Sequence, residues 1–444
     1  MTAPASSSAK ANPEQVWLIL SHAFNMDGRA ASQTVTDKIP HLVAQGVRPI
    51  VMSAMTGAKD EHVEHHQLPP VSPAGLRFDM RHVLKNRLRS KRAYRLMSGA
   101  LTVLLVPFQV VEKLLLPLES QWSWFVSAYV AGARIIRRDR PTLIYSTGGA
   151  NSAHIAGYLL HRRYRIPWLA EVHDPLVYDS PARRSLAERV AAWIEARICR
   201  HAAVAIWFTE TALARARARH PELGERGRVM LPGADAPALN DAGYVRGEHC
   251  VIAHFGSLSR SRNLGIFLEG LAAVLTAEPR LRDTLRLHLY GSGVDPQSAQ
   301  AIKQFPQPEV IRVFGRIERD TATGEAGRAR VLRLMRGADC LLLLHGNDAA
   351  CEEYIPSKLY EYLWMRRPIL ALVHRNPQMT QILTELGHTC VQADNAAAIA
   401  QAIRQFVVRW QRDELNDLPA GSPYTDKAAV EQLLTWVRSG AGGA

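Results

Sequence analysis

The sequence predicts an α/β protein made of two doubly wound units, each a parallel sheet with helices on both faces. Three observations lead there. Short apolar runs of strand length alternate with helical patterns of ten or more residues, as parallel strands joined by crossover helices require. The alternation breaks at a polar stretch, Gly233 to His249, and then restarts. A chain of 444 residues is also too long for one ordinary core, so two domains of roughly 200 residues each are expected.

In the first unit the expected strands are Val16–Leu20, Pro49–Met55, Pro141–Thr147, Pro167–Val172, Ala203–Thr209 and Arg228–Gly233. The loop after the first, SHAFNMDGRAASQT, leads into a helix towards Gln45, and Gly148-Gly149 open another. In the second unit they are Cys250–Gly256, Leu285–Gly293, Val310–Ile317, Asp339–Gly346, Pro368–Val373 and His388–Ala393. The domains are therefore expected at 14–240 and 247–410, after a polar tail at 1–13 with no apolar signal core. The segment 411–444 should carry a helix, Tyr424–Val437, that packs back on the first domain.

A net charge of +13 favours anionic partners. The five cysteines (Cys199, Cys250, Cys340, Cys351, Cys390) show neither a C-x-x-C pair nor metal spacing, which fits a reduced, cytoplasmic setting. A basic cluster, Leu84–Arg95, runs straight into an apolar stretch, Leu96–Leu118. Pro107, Gln109, Glu112 and Lys113 make that stretch a poor spanning helix. Lys85–Leu118 instead suggests a segment lying on an anionic membrane surface, with an ordinary core helix as the other reading. The basic residues are not interleaved with aromatics, so nucleic acid is not an expected partner.

Ligands of doubly wound sheets bind at the carboxyl ends of strands, and with two such domains the expected site is the cleft they share. Asp27, Gly28 and Arg29 close the first strand-to-helix loop, where glycine lets backbone approach a phosphate or sugar. The spacing is not G-x-G-x-x-G. His173 and Asp174 end the strand Pro167–Val172, placed to hydrogen bond to a ligand. Gly256 opens a loop carrying Arg260 and Arg262, whose forked donors suit a diphosphate. Gly291 and Gly315 occupy the equivalent ends of the next two strands.

The stretch CEEYIPSKLYEYL places Glu353 before a helix and Glu361 about two turns inside it, with Pro356 in the first turn and Lys358 between the acids. Buried carboxylates need donors, which sugar or ribose hydroxyls would supply, and Lys358 could meet a phosphate. The plainer reading is a capping acid plus an i, i+3 Lys–Glu pair.

Glu353 to Glu361, in the form E-x7-E with P-x-K-x-x-E-Y-L, resembles the motif of the retaining glycosyltransferases of family 4. The likeness extends over nearly the whole chain: EVHDP is similar to a strand-end motif of that family and LPGADAP to its interdomain segment. It implies two Rossmann-like domains facing a cleft, the GT-B architecture. It also implies that Glu353 meets the donor sugar, Glu361 the ribose, Arg260 and Arg262 the diphosphate, and that His173 lies beside the transferred sugar. Asp27, Gly28, Arg29 and Asp174 would belong to the acceptor side.

The implied reaction is transfer from a nucleotide-diphosphate sugar to a saccharide acceptor, expected to be a lipid-linked one of bacterial surface polysaccharide, with retention and without a metal or other cofactor. No Asp-x-Asp stands where it would hold a metal. The phosphate loop departs from the family pattern: Ser257 follows Gly256, and Asn263-Leu264 stand where a lysine is expected. A nucleotide-sugar epimerase of the same fold, or a non-catalytic nucleotide-sugar-binding module, are the rival readings.

Overall fold

The computed structural model describes residues 15–26, 29–88, 90–178, 185–237, 244–318, 320, 323–415, 418 and 421–440. The tail expected at 1–13, and two of the expected site residues, Asp27 and Gly28, lie outside the described residues. The chain divides into two compact units. One comprises Met1–Phe208, Leu213–Met230 and Asp426–Ala444, the other Thr209–Ala212 and Leu231–Thr425.

The first unit holds β1 (Gln15–Leu20), β2 (Val47–Ser53), β3 (Glu64–Gln67), β4 (Leu143–Ser146), β5 (Trp168–Val172), β6 (Val204–Trp207) and β7 (Gly227–Val229). They form one parallel sheet in the order β3-β2-β1-β4-β5-β6-β7, so the winding direction reverses between β1 and β4. Strands buried on both faces read as continuous apolar runs, and VWLIL in β1 is buried throughout. β3, sequence EHHQ, was not expected. It is an edge strand without an apolar run, held by His65 bonding Ser53 Oγ at 2.8 Å and packing against Phe24. The single helix expected before Gln45 is two, Ala30–Thr36 and Ile39–Ala44. Pro40 sits in the first turn of the second, where its missing N–H costs nothing. The last helix, Asp426–Gly440, belongs to this unit and buries Val430, Leu433 and Leu434 with Trp17, Ile19 and Ile206.

The second unit holds β8 (Cys250–Phe255), β9 (Leu285–Tyr290), β10 (Ile311–Gly315), β11 (Cys340–Leu344), β12 (Ile369–Val373) and β13 (Thr389–Gln392). The sheet is parallel, in the order β10-β9-β8-β11-β12-β13, and its winding reverses between β8 and β11. One face carries Phe267, Leu271, Ile399 and Ile403 against Leu287 and Leu342. The other carries Leu359, Tyr362 and Met379 against Leu341 and Ala371. Both sheets therefore place a topological switch point at the carboxyl end of their first strand, where such folds bind ligands.

The basic and apolar segment forms two helices, Pro73–Arg87 and Lys91–Leu115, capped by Ser72 and Ser90. The second is long and apolar enough to cross a membrane by length and composition, and none of its residues is buried. Its amphipathicity is inverted. Gln109 and Glu112 turn towards the protein, bonding Arg77 at 2.9 Å, the Ala74 N–H at 2.8 Å and Trp122 Nε1 at 2.7 Å. Leu96, Val103, Leu104, Phe108, Val111, Leu114 and Leu115 face outward. The core-helix reading of this segment does not describe it.

Candidate functional site

In the second unit three of the expected glycines meet. Gly256, with φ +148°, ends β8 and donates its N–H to Tyr290 O at 2.8 Å. Gly291 donates to Gly315 O at 3.0 Å, and Leu258 to Gly293 O at 3.2 Å. A Cβ on Gly291 would stand 2.0 Å from Gly256 O, so only glycine fits there. Gly315 has φ +71°, a left-handed conformation that suits glycine. The turns after β8, β9 and β10 thus form one ladder of closely approaching backbone.

The loop after β8 carries Arg260, exposed, and Arg262, half-buried. Asn263, standing where the family lysine was expected, staples this loop: its Nδ2 donates to Arg260 O at 2.8 Å and its Oδ1 accepts from Gly265 N–H at 2.9 Å. Arg262 lines a small crevice with Ser261, Asn263, His345, Gly346 and Asn347, at the β8/β11 switch point. Its Nε is buried and meets no hydrogen-bond acceptor among the described residues.

Glu353 ends a 3-10 turn, Ala349–Glu353, and is buried. That segment is pinned by Asn376, whose Nδ2 donates to Cys351 O at 3.0 Å and Tyr354 O at 2.9 Å, and by His345 Nε2–H donating to Tyr354 O at 2.9 Å. The helix after it is Lys358–Leu363, six residues, so Glu361 lies in its first turn and not two turns in. The reason is that Pro356 and Ser357 precede the first helical residue. Glu361 is gripped by Lys358 Nζ at 2.5 Å and by Arg328 Nη1 at 2.9 Å. Lys358 therefore makes the i, i+3 pair of the plainer reading and is not a cation standing ready for phosphate alone. Burial would raise the Glu361 carboxyl, but Lys358 and Arg328 outweigh it and hold it below its ordinary value.

In the first unit His173 ends β5 and is 9% exposed, while Asp174 is exposed beside it. His173 Nε2–H is shared between Glu171 Oε1 at 2.9 Å and Thr147 Oγ1 at 3.0 Å, and its ring stacks on Phe208 at 4.8 Å. Glu171 also takes Lys38 Nζ at 2.7 Å and the Tyr145 hydroxyl at 2.6 Å. Burial opposes ionisation of Glu171, yet Lys38 and His173 prevail and keep its carboxyl well below the usual range. Both Lys38 and Glu171 are wholly buried, so the pair fixes His173 at the strand end rather than adding net stability. Arg29 is exposed at the start of the helix Ala30–Thr36, its guanidinium 5.7 Å from the Phe78 ring centroid.

Sequence reasoning passed over Lys38, Glu171, Arg328 and the pair His22–Asp79. The signal for Glu171 was present: an acid inside the buried strand WLAEV requires a cation. His22, just past β1, has Nε2 3.8 Å from Asp79 Oδ1, both side chains buried. Burial, with Arg29 and His82, takes His22 down to about 3, and burial lifts Asp79 to about 7. Arg328 and Asp79 carry no local pattern that marks them.

No family model matches this chain, and no curated protein matches it by sequence. Solved structures do match. A sucrose-phosphate synthase from Thermosynechococcus elongatus is 14% identical, covering 97% of this chain and 100% of that one, with a TM-score of 0.62. An α,α-trehalose-phosphate synthase (UDP-forming) from Burkholderia vietnamiensis is 11% identical, covering 97% and 100%, with a TM-score of 0.57. A structure of TarM is 8% identical, covering 96% and 99%, with a TM-score of 0.62. Another, from S. aureus, holds fondaparinux, α-GlcNAc-glycerol and UDP, and is 10% identical over 70% of this chain and 58% of that one at a TM-score of 0.50. The chain thus has the GT-B fold, with two parallel-sheet Rossmann-like domains.

Proposed function

We propose that this chain is a glycosyltransferase that moves a sugar from a nucleotide-diphosphate donor to a saccharide acceptor. The observation that carries the reading is Glu361, kept ionised by Lys358 and Arg328 on the same domain as the glycine ladder and Arg262. An ionised carboxylate with two cations on it still has lone pairs for two hydroxyls, as a ribose presents. The ladder of turns admits a diphosphate against backbone, with Arg260 and Arg262 neutralising the charge that grows on the leaving group. Glu353 meets the donor sugar, and His173, oriented by Glu171, stands beside the transferred sugar. The acceptor hydroxyl attacks the anomeric carbon on the face from which the nucleoside diphosphate departs, which gives retention. Its proton passes to the departing phosphate, and these cations do the work a metal would otherwise do. Arg29 and Asp174 serve the acceptor.

The acceptor in this reading is lipid-linked saccharide of a bacterial surface polysaccharide, and the enzyme works on the cytoplasmic face of the membrane. Support for the location is the inverted helix Lys91–Leu115: its apolar side faces outward and the basic residues Lys85, Arg87, Lys91, Arg92 and Arg95 flank it. An anionic lipid surface satisfies both at once.

The experiment is a thermal-shift panel of nucleoside diphosphates and their sugars, followed by labelled-donor assays with and without lipid-linked acceptor. Transfer that falls about a hundredfold or more in Glu353→Ala and Arg260→Ala is expected. Unchanged transfer in both would overturn the site. Donor interconversion without acceptor would replace transfer by epimerisation, and binding without turnover would leave a binding module.

A further inference from the structure

His254, on the central strand β8, has a place in none of the roles above. Its Nδ1–H donates to Leu342 O at 3.0 Å, which leaves the lone pair of the neutral ring on Nε2. That nitrogen finds no hydrogen-bond partner among the described residues, although the residue is only 4% exposed. A buried polar atom left this way costs on the order of 1–3 kcal/mol, so its retention calls for an explanation.

Its surroundings supply one. Nε2 looks towards Gly256, the first rung of the glycine ladder: a Cβ there would lie 3.6 Å from it. Because Gly256 has no side chain, no Cβ covers Nε2 on the side of the turn. The charged groups that face the ring are Arg262, from the loop after β8, and Lys358, from the helix Lys358–Leu363. Both are cations. Burial and these two charges take His254 down to about 4, so beside these cations alone the ring is neutral and Nε2 is an acceptor. An acceptor is the wrong partner for a phosphate oxygen, which has no proton to give. A di-anionic ligand in the turns would reverse the local field: it neutralises Arg262 and brings negative charge close to the ring.

We propose that His254 is a proton-linked phosphate ligand: when a nucleoside diphosphate occupies the glycine turns, His254 takes one proton from solvent and donates Nε2–H to a phosphate oxygen. The inference rests on the nucleotide-sugar reading of this domain and adds to it a residue and a proton. The proton returns to solvent when the nucleotide leaves, so nothing is consumed. Binding should then tighten as pH falls, whereas the ligand's own phosphate, bound among cations, would if anything lose a proton.

The test is calorimetric titration of the full chain with UDP and with GDP at pH 7, in two buffers of unequal ionisation enthalpy. For the wild type, uptake of about half to one proton per bound nucleotide is expected. His254→Gln, which keeps a polar side chain but cannot titrate, should take up none and bind about tenfold or more weakly. The pH dependence of Kd should flatten in that variant. Proton uptake in the wild type does not depend on the variant folding, and its absence alongside measurable binding overturns the inference while the nucleotide reading stands. Undiminished uptake in a folded His254→Gln variant also overturns it. If no nucleoside diphosphate binds the wild type, the nucleotide reading itself fails and this inference with it.

Discussion

Gly291 and Gly293 sit two residues apart in the same turn, yet a methyl group should do opposite things to them. A Cβ on Gly291 would lie 2.0 Å from Gly256 O and 2.6 Å from Gly256 C. Both are backbone atoms, and Gly256 is itself anchored by its N–H to Tyr290 O at 2.8 Å. Neither can rotate out of the way. Ordinary carbon contacts lie at about 3.5–4.0 Å, so the turns after β8 and β9 must part by roughly 1.5–2 Å. Overpacking of this kind costs about 1–3 kcal/mol. At 2–3 kcal/mol that is a fall of about 4–12 °C in melting temperature for a domain of this size. A shift of about 1 Å in groups that hold a reacting substrate can cost a hundredfold in rate. Gly293 has nothing within 4 Å of the position its Cβ would take. Gly291→Ala should therefore lose stability and nucleotide affinity together, while Gly293→Ala stays near wild type in both. Thermal unfolding and nucleotide titration of the two variants side by side decide it. Equal behaviour, or a worse Gly293→Ala, would refute the claim that close approach of these turns builds the subsite.

Lys38→Met should destabilise the first unit by about 3–5 kcal/mol, because it leaves Glu171 charged and buried; Lys38→Met with Glu171→Gln should recover much of the loss in denaturant titration. Asp79 binds its proton more tightly folded than unfolded, so as pH rises from the ordinary carboxylate range of about 4 through about 7 the native state loses stability on its account. Buried His22 contributes in the opposite sense below its ordinary value, so the clean measurement is a difference: Asp79→Asn should gain on the wild type between pH 5 and pH 8, and a gap that stays constant counts against a raised carboxyl. The lowered Glu361 contributes stability above its unfolded value that disappears as pH falls through its folded value, and Arg328→Ala should move that acid loss upward in pH. The chain should sediment with liposomes containing phosphatidylglycerol at low salt; replacing Leu104, Phe108 and Val111 with serine should abolish this, and unaltered sedimentation would dismiss the membrane role of that helix.

Much of the fold was legible because parallel strands buried on both faces must be apolar throughout. All twelve strands expected from such runs are present, with ends shifted by a few residues. β3 escaped because EHHQ is an edge strand whose place is set by His65 and Ser53, a partnership twelve residues apart that no local period records. Strand-end glycines were legible for a related reason: Gly256, Gly291 and Gly315 follow directly from where apolar runs stop. Their joining into one ladder was not, since hydrogen bonds such as Gly291 N–H to Gly315 O depend on strand order, which puts β8, β9 and β10 side by side.

Charge was the property that sequence handled least well. Glu353, Lys358 and Glu361 stood out by spacing, but spacing alone could not say that Arg328, 33 residues before Glu361, completes the grip on it. Lys38 and Glu171 are 133 positions apart and meet at 2.7 Å. A chain shows which residues carry charge and where strands end. Which charges are buried together, and therefore held ionised or neutral, is decided only when the sheet order brings their elements into contact and removes the water around them.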